Sequence, residues 1–176
     1  VVCDGYQVAR TAVHYLHSLG HTSIGYIGEI DNEIRYKGYR DEMASLGLTA
    51  PKEQVIDIHL SMEGGYHGVR RLREGGGLPG AIFCCNDITA VGAIKGIKEM
   101  GLKIPQDVSL LSIDDIEMAS YVTPMLSTIS IPKEEMGKMA VKILLDRINK
   151  GHRLPMKLEL PYQIKRRESC RDLTAG

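Results

Sequence analysis

The feature that most constrains this chain is the stretch 80–101. There an apolar run from Ala81 to Cys85 stops at Asn86-Asp87, and a helical pattern of Ile88, Val91, Ile94 and Ile97 begins at once, ending at Gly101. A strand that runs straight into a helix is the repeating unit of a parallel sheet, since parallel strands need a crossover to return. Ligands collect at the carboxyl ends of such strands, so Asn86 and Asp87 stand where a polar ligand is read. Both types are also favoured helix N-caps, which satisfy backbone donors with no ligand involved.

The same punctuation recurs along the chain. Tyr6, Ala9, Val13 and Leu16 make a helical stripe that closes at Gly20, and 24–27 reads as a short strand. Tyr39, Met43 and Leu46 share a helical face ending at Gly47, and 55–58 is a strand followed by a helix through Tyr66, Val69 and Leu72. After the Gly-rich loop 74–80 and the central stretch come the strand 108–113, which stops at Asp114-Asp115, and a short extended run over 127–131 before Pro132. Strand then helix, about four times over, predicts an α/β fold with a parallel sheet flanked by helices. Beyond Pro132 the rhythm changes. Met136, Ala140, Ile143, Leu144 and Ile148 form an amphipathic stripe over 133–150, and 157–160 reads as a strand between Pro155 and Pro161. The bends at Pro132 and Pro161 are the places for the chain to pass between lobes.

Composition excludes several classes of function. Lys plus Arg and Asp plus Glu are both 22, so this portion has no electrostatic case for gripping a nucleic acid backbone by itself. No apolar run nears the roughly 20 residues of a membrane span, and the start lacks the basic and apolar segments of a signal peptide. The chain begins Val1-Val2-Cys3-Asp4 without an initiator Met, which reads as a fragment. Cys3, Cys84, Cys85 and Cys170 have no Cys-x-x-Cys spacing; adjacent Cys84 and Cys85 point to opposite faces of a strand, and all four read as small buried hydrophobes.

Among residues of types that carry chemistry, His14, His17 and His21 are spaced for one helical face. No nearby ligand completes a metal set, and a solvated helix flank is the reading preferred. There is no Gly-x-Ser-x-Gly elbow and no Gly-x-Gly-x-x-Gly fingerprint, and Lys165-Arg166-Arg167 reads as solvated surface. Three residues remain. Asn86 and Asp114 each follow a strand, and Arg35 follows the loop after 24–27, all at one rim. An amide, a carboxylate and a guanidinium converging on a crevice suit a polyhydroxylated ligand, whose adjacent hydroxyls donate to a carboxylate and accept from a fork of N–H groups. No activated nucleophile or acid/base pair accompanies them, so binding is expected and not catalysis, with no cofactor or metal. Asn86 is accordingly read as a ligand contact, and Asp87 as the helix cap.

Several motifs resemble the sugar-sensing core of the LacI/GalR transcriptional regulators: Asn86-Asp87-x-x-Ala90-x-Gly92-Ala93, Gly101-Leu102-x-Ile104-Pro105-x-Asp107-Val108-Ser109, Asp114-Asp115, Pro124-x-Leu126-Ser127-Thr128-Ile129 and Pro132. Leu19-Gly20-His21-x-x-Ile24-Gly25-Tyr26-Ile27-Gly28, Arg35-x-x-Gly38-Tyr39 and Ile164-x-Arg166-Arg167-x-Ser169 fit the same pattern, in order and through nearly the whole chain. The resemblance implies a periplasmic-binding-protein-like fold of two hinged lobes with the effector between them. On it, 1–131 is the C-terminal lobe, 132–160 a helix and strand belonging to an N-terminal lobe otherwise missing, and 161–176 the return and tail.

Carried over by position, Arg35, Asn86 and Asp114 match the family's effector contacts. Leu60 stands where several members place a stacking aromatic, which leaves that role to Tyr66 or another residue. The implied function is effector sensing in a cytoplasmic, homodimeric, sugar-responsive repressor that reads operator DNA through a helix-turn-helix domain not in this chain. The dimer is expected through the helices 62–73 and 88–100. Similarity around Ile116-Glu117-Met118-Ala119 resembles regulators of β-galactoside operons. A sugar-binding receptor of a transport system shares the fold and stays open as the alternative.

Overall fold

The computed structural model describes residues 1–175. Over these, helices and strands follow in the order α1 (Gly5–Ser18), β1 (Ile24–Gly28), α2 (Ile34–Ser45), β2 (Val55–Asp57), α3 (Met62–Glu74), β3 (Ala81–Cys84), α4 (Asp87–Glu99), β4 (Ser109–Asp114), β5 (Ser127–Ser130), α5 (Lys133–Ile148) and β6 (Gln163–Lys165). Local chemistry sets the helix ends. Asp4, Ser61 and Asn86 accept first-turn N–H groups of α1, α3 and α4, while Gly20, Gly47 and Gly101 take the positive φ that turns the chain away after α1, α2 and α4.

The strands form one six-stranded sheet in the order β2-β1-β3-β4-β5-β6, parallel except for the β5–β6 pair. Alternation along each strand divides the core into two layers. Tyr26, Phe83 and Leu111 face α1 and α2, while Ile27, Ile82 and Leu110 face α3 and α4. Cys84 and Cys85 fall on opposite faces as their adjacency demands, and all four cysteines are free. After β1 the chain steps outward to β2, then returns to place β3 on the other side of β1. Connections therefore diverge between β1 and β3, and the carboxyl ends of those two strands open a crevice.

The last third, with the residue it covers on the α1–β1 turn, departs from the sequence expectation in four ways. The strand expected over 157–160 is reduced to a single parallel bridge between Val2 and Glu159, because Val2 alone reaches it. An unforeseen edge strand, β6, pairs antiparallel with β5; its one apolar residue, Ile164, is too little for a period-two signal. The basic run is not all solvated surface. Arg167 bonds Asp115 at 2.6 Å and the Leu126 carbonyl at 2.8 Å, and Arg166 lies over the Tyr15 ring at 5.3 Å. His21 is buried rather than on a solvated flank, with Nε2 3.1 Å from the Arg171 carbonyl oxygen, because the C-terminal strap crosses the α1–β1 turn. Helix α5 forms as expected, yet none of its residues is buried.

Candidate functional site

The crevice at the β1/β3 divergence is built around Arg35. Glu33 caps α2 by accepting the Arg35 backbone N–H at 2.9 Å, which places the Arg35 side chain in the first turn, above the strand ends. Both carboxylate oxygens of Glu33 hold the guanidinium, from Nε at 2.8 Å and from Nη2 at 2.9 Å. Nη1 donates to the Cys85 carbonyl at 3.0 Å, so Arg35 bridges the two chain segments that diverge after β1 and β3. Little of the pair is exposed, 22% for Arg35 and 13% for Glu33. Hydrogen bonding from Arg35 holds the Glu33 carboxyl below its ordinary range against the opposing effect of burial, and Glu33 in turn raises Arg35.

Asp114 ends β4 with φ 118, followed by Asp115 at φ 53. Two successive non-glycine residues at positive φ are backbone strain of the kind found at functional sites. The two carboxylates differ in their partners. Asp115 pairs with Arg167, whereas neither carboxylate oxygen of Asp114 takes a hydrogen bond from the described residues. Burial is the first cause pushing the Asp114 carboxyl up, and the Asp87 charge adds to it; Lys133 and Arg35 pull the other way. Lys133, at the start of α5, donates to the Asp114 carbonyl. Asp114 and Arg35 line one cavity of about 340 Å³, whose walls include Cys3, Val8, Ile131 and Met136. Cys3 is thus half-exposed in the crevice wall and not the buried hydrophobe expected of it.

The third expected contact sits differently. Asn86 is the cap of α4, its Oδ1 accepting the Thr89 N–H at 2.9 Å, which leaves the amide nitrogen as its free group. It adjoins Cys85, whose carbonyl holds Arg35, but does not line the same cavity. The capping role assigned to Asp87 is corrected. One residue inside the helix, it is fully buried and accepts from Ser112 Oγ, from Thr128 Oγ1 at 2.7 Å and from the Ile116 N–H at 2.8 Å. Adjacent residues cannot both occupy the cap, and Asn86 is at the extended position.

None of the described residues lining the cavity is aromatic, and Leu60 packs against the α1–α2 layer of the core. Tyr66 is not the substitute. Its hydroxyl donates to Glu99 at 2.6 Å, and with about 1.5 Å of rise per residue the far end of α4 is roughly 20 Å from Asn86. Of the three histidines, His14 meets Glu42 at 3.2 Å, and among the described residues no group of His, Cys, Asp or Glu is arranged to hold a metal ion. Among the same residues no helix is long and apolar enough to cross a membrane. Sequence reasoning overlooked Glu33, the Cys85 carbonyl and Lys133. For Glu33 a signal existed, an acid two residues ahead of Arg35 at a helix start.

A family model for periplasmic binding protein-like domains matches residues 13–170. The ribose operon repressor of Haemophilus influenzae is 40% identical over 141 residues, 78% of this chain and 42% of that protein. The HTH-type transcriptional repressor PurR of Shigella dysenteriae is 34% identical over 176 residues, 98% of this chain and 52% of that protein. A solved structure of a LacI family transcriptional regulator from Enterococcus faecium with bound ribose matches with a TM-score of 0.86 at 30% identity, covering 98% of this chain and 65% of that one. The chain spans about half the length of the curated relatives it matches.

Proposed function

Since the chain belongs to the periplasmic binding protein-like family, in its LacI/GalR branch of transcriptional regulators, we propose that it is the effector-sensing, dimerising part of a cytoplasmic, sugar-responsive repressor. In this reading 1–131 and 161–176 form the C-terminal lobe. Residues 132–160 belong to a second lobe that closes the crevice, and a helix-turn-helix domain elsewhere in the protein reads the operator. Arg35, Asn86 and Asp114 are the effector contacts.

The observation that carries the proposal is the pairing of Arg35 and Asp114 across one cavity. Three of the five guanidinium N–H groups are engaged, by Glu33 twice and by Cys85 once, so two donors remain opposite an open carboxylate. Vicinal hydroxyls of a sugar match that arrangement, donating to Asp114 and accepting from Arg35. A sugar that binds better when the lobes are arranged one way shifts the equilibrium by its differential affinity, and DNA affinity changes by the coupling. Dimerisation through the outer faces of α3 and α4 supplies the two half-site binders that a two-fold operator needs. A transport receptor would share the fold; that the named relatives are repressors, not enzymes or receptors, favours the regulator.

The test is calorimetric titration of the intact protein with a panel of monosaccharides. Asp114→Ala removes the open carboxylate and is expected to abolish binding while thermal unfolding stays cooperative. Unchanged sugar affinity in the variant refutes the assignment.

A further inference from the structure

We propose that Glu33 is a specificity-determining residue: by pairing with Arg35 it neutralises the cation of the effector cavity, so that the site accepts uncharged polyhydroxylated ligands and rejects phosphorylated or carboxylated ones. This inference rests on the effector-binding role proposed above for the same cavity.

Arg35 is the one cation among the described residues lining the cavity, against two carboxylates, Glu33 and Asp114. Were Arg35 unpaired, its planar fork would be a ready receptor for a phosphate or carboxylate. It is not unpaired. The Nε and Nη2 edge is taken by both oxygens of Glu33, at 2.8 and 2.9 Å, and the pair is mostly shielded from water. The two remaining N–H groups, one on each terminal nitrogen, still donate, but their positive charge is already matched. An entering anion therefore meets the Asp114 carboxylate with no free cation in the cavity wall in compensation, since Lys133 lies outside that lining with its ammonium directed at the Asp114 and Asp115 carbonyls, and in a partly desolvated site such an imbalance is poorly screened. A neutral diol meets no such penalty. Lowering of the Glu33 carboxyl pKa by Arg35 keeps the pair ionised at neutral pH.

Glu33 also caps α2, so the test must separate charge from structure. Glu33→Gln does so, because Gln retains an oxygen for the Arg35 backbone N–H while removing the charge and the acceptor that Arg35 Nη2 uses. The intact regulator and its Glu33→Gln and Glu33→Asp variants are titrated calorimetrically with D-ribose, D-galactose and D-glucose, with the corresponding monophosphate esters, and with inorganic phosphate. The wild type is expected to prefer a neutral sugar over its phosphate ester. Glu33→Gln should shift that preference toward the ester by about tenfold or more and gain affinity for inorganic phosphate, since each freed charge-assisted contact to an anion is worth about that much. Glu33→Asp keeps the charge and should keep the rejection of phosphate, which guards against Glu33→Gln failing to fold.

A merely structural role would weaken sugar and ester together. That parallel loss overturns the proposal, as does a wild type that takes esters as well as sugars, or phosphate binding by Glu33→Asp. If no neutral sugar binds the wild type yet Glu33→Gln gains phosphate affinity, the neutralising role of Glu33 stands and the sugar reading fails.

Discussion

Asp87 shows how one side chain can hold a loop in a strained conformation. Its carboxylate gathers Ser112 from β4, Thr128 from β5 and the Ile116 N–H from the loop just past Asp114 and Asp115. Desolvation pushes its pKa up and these bonds pull it back, as for a charge that is buried yet well partnered. The two positive-φ residues thus lie between an anchored strand and an anchored loop, which is the over-determination that strain requires. Asp87→Ala leaves two hydroxyls and an amide unpaired in the core and should cost about 3 kcal/mol. Urea unfolding with an unchanged m-value measures the loss. A change within about 0.5 kcal/mol would show that the network supports nothing beyond itself.

At the level of elements, α3 and α4 pack closely because glycines line their contact. A Cβ on Gly92 would fall on the Met62 carbonyl, and one on Gly65 on the Thr89 carbonyl. Since both obstacles are backbone, the helices cannot yield by a rotamer change. Gly92→Ala is expected to force them apart and destabilise the fold by about 3 kcal/mol or more, against a gain of at most about 1 kcal/mol in helix propensity. Thermal melting of the variant beside Gly96→Ala, whose Cβ meets the Val69 side chain first and the Tyr66 carbonyl only at 3.0 Å, gives the comparison. Equal losses would argue against backbone contact as the cause. Most elements were legible in sequence because Gly stops and two hydrophobic periods coincide at their ends, as at Gly20, Gly47 and Gly101. That Arg35 and Asp114 share one cavity was legible because the parallel-sheet rule directs attention to the rim at the strand ends. What sequence could not show was side-chain partnership at long range. Asp87 meets Thr128 and Asp115 meets Arg167 across separations of 41 and 52 residues. Local pattern also gave the cap to Asp87 and not to Asn86, because both types suit a cap and only the backbone angle decides between them.

On the scale of the whole molecule, one region violates the rule that apolar stripes are buried. Helix α5 exposes Val141, Leu144, Leu145 and Ile148 by 53–64%, and nearby Leu154 and Met156 are exposed too. Chain connectivity gives this a direction. Helix α5 leaves the sheet after β5 and returns through 159, where Val2 pairs, so three passes of chain meet at one margin of the crevice. That geometry accords with the proposed passage into a second lobe, whose core the stripe would complete. A continuous apolar face of this kind does not stay in water. The 176-residue chain on its own is therefore expected to run larger than a monomer in light scattering, by burying α5 against a second copy, or else to show α5 displaced. Leu144→Glu combined with Ile148→Lys should reduce that association. The melting temperature should stay within about 2 °C, because neither side chain contributes to the core. A monomer at every concentration, with α5 helical and exposed, would mean that the stripe needs no partner and would remove the main physical support for assigning 132–160 to another lobe.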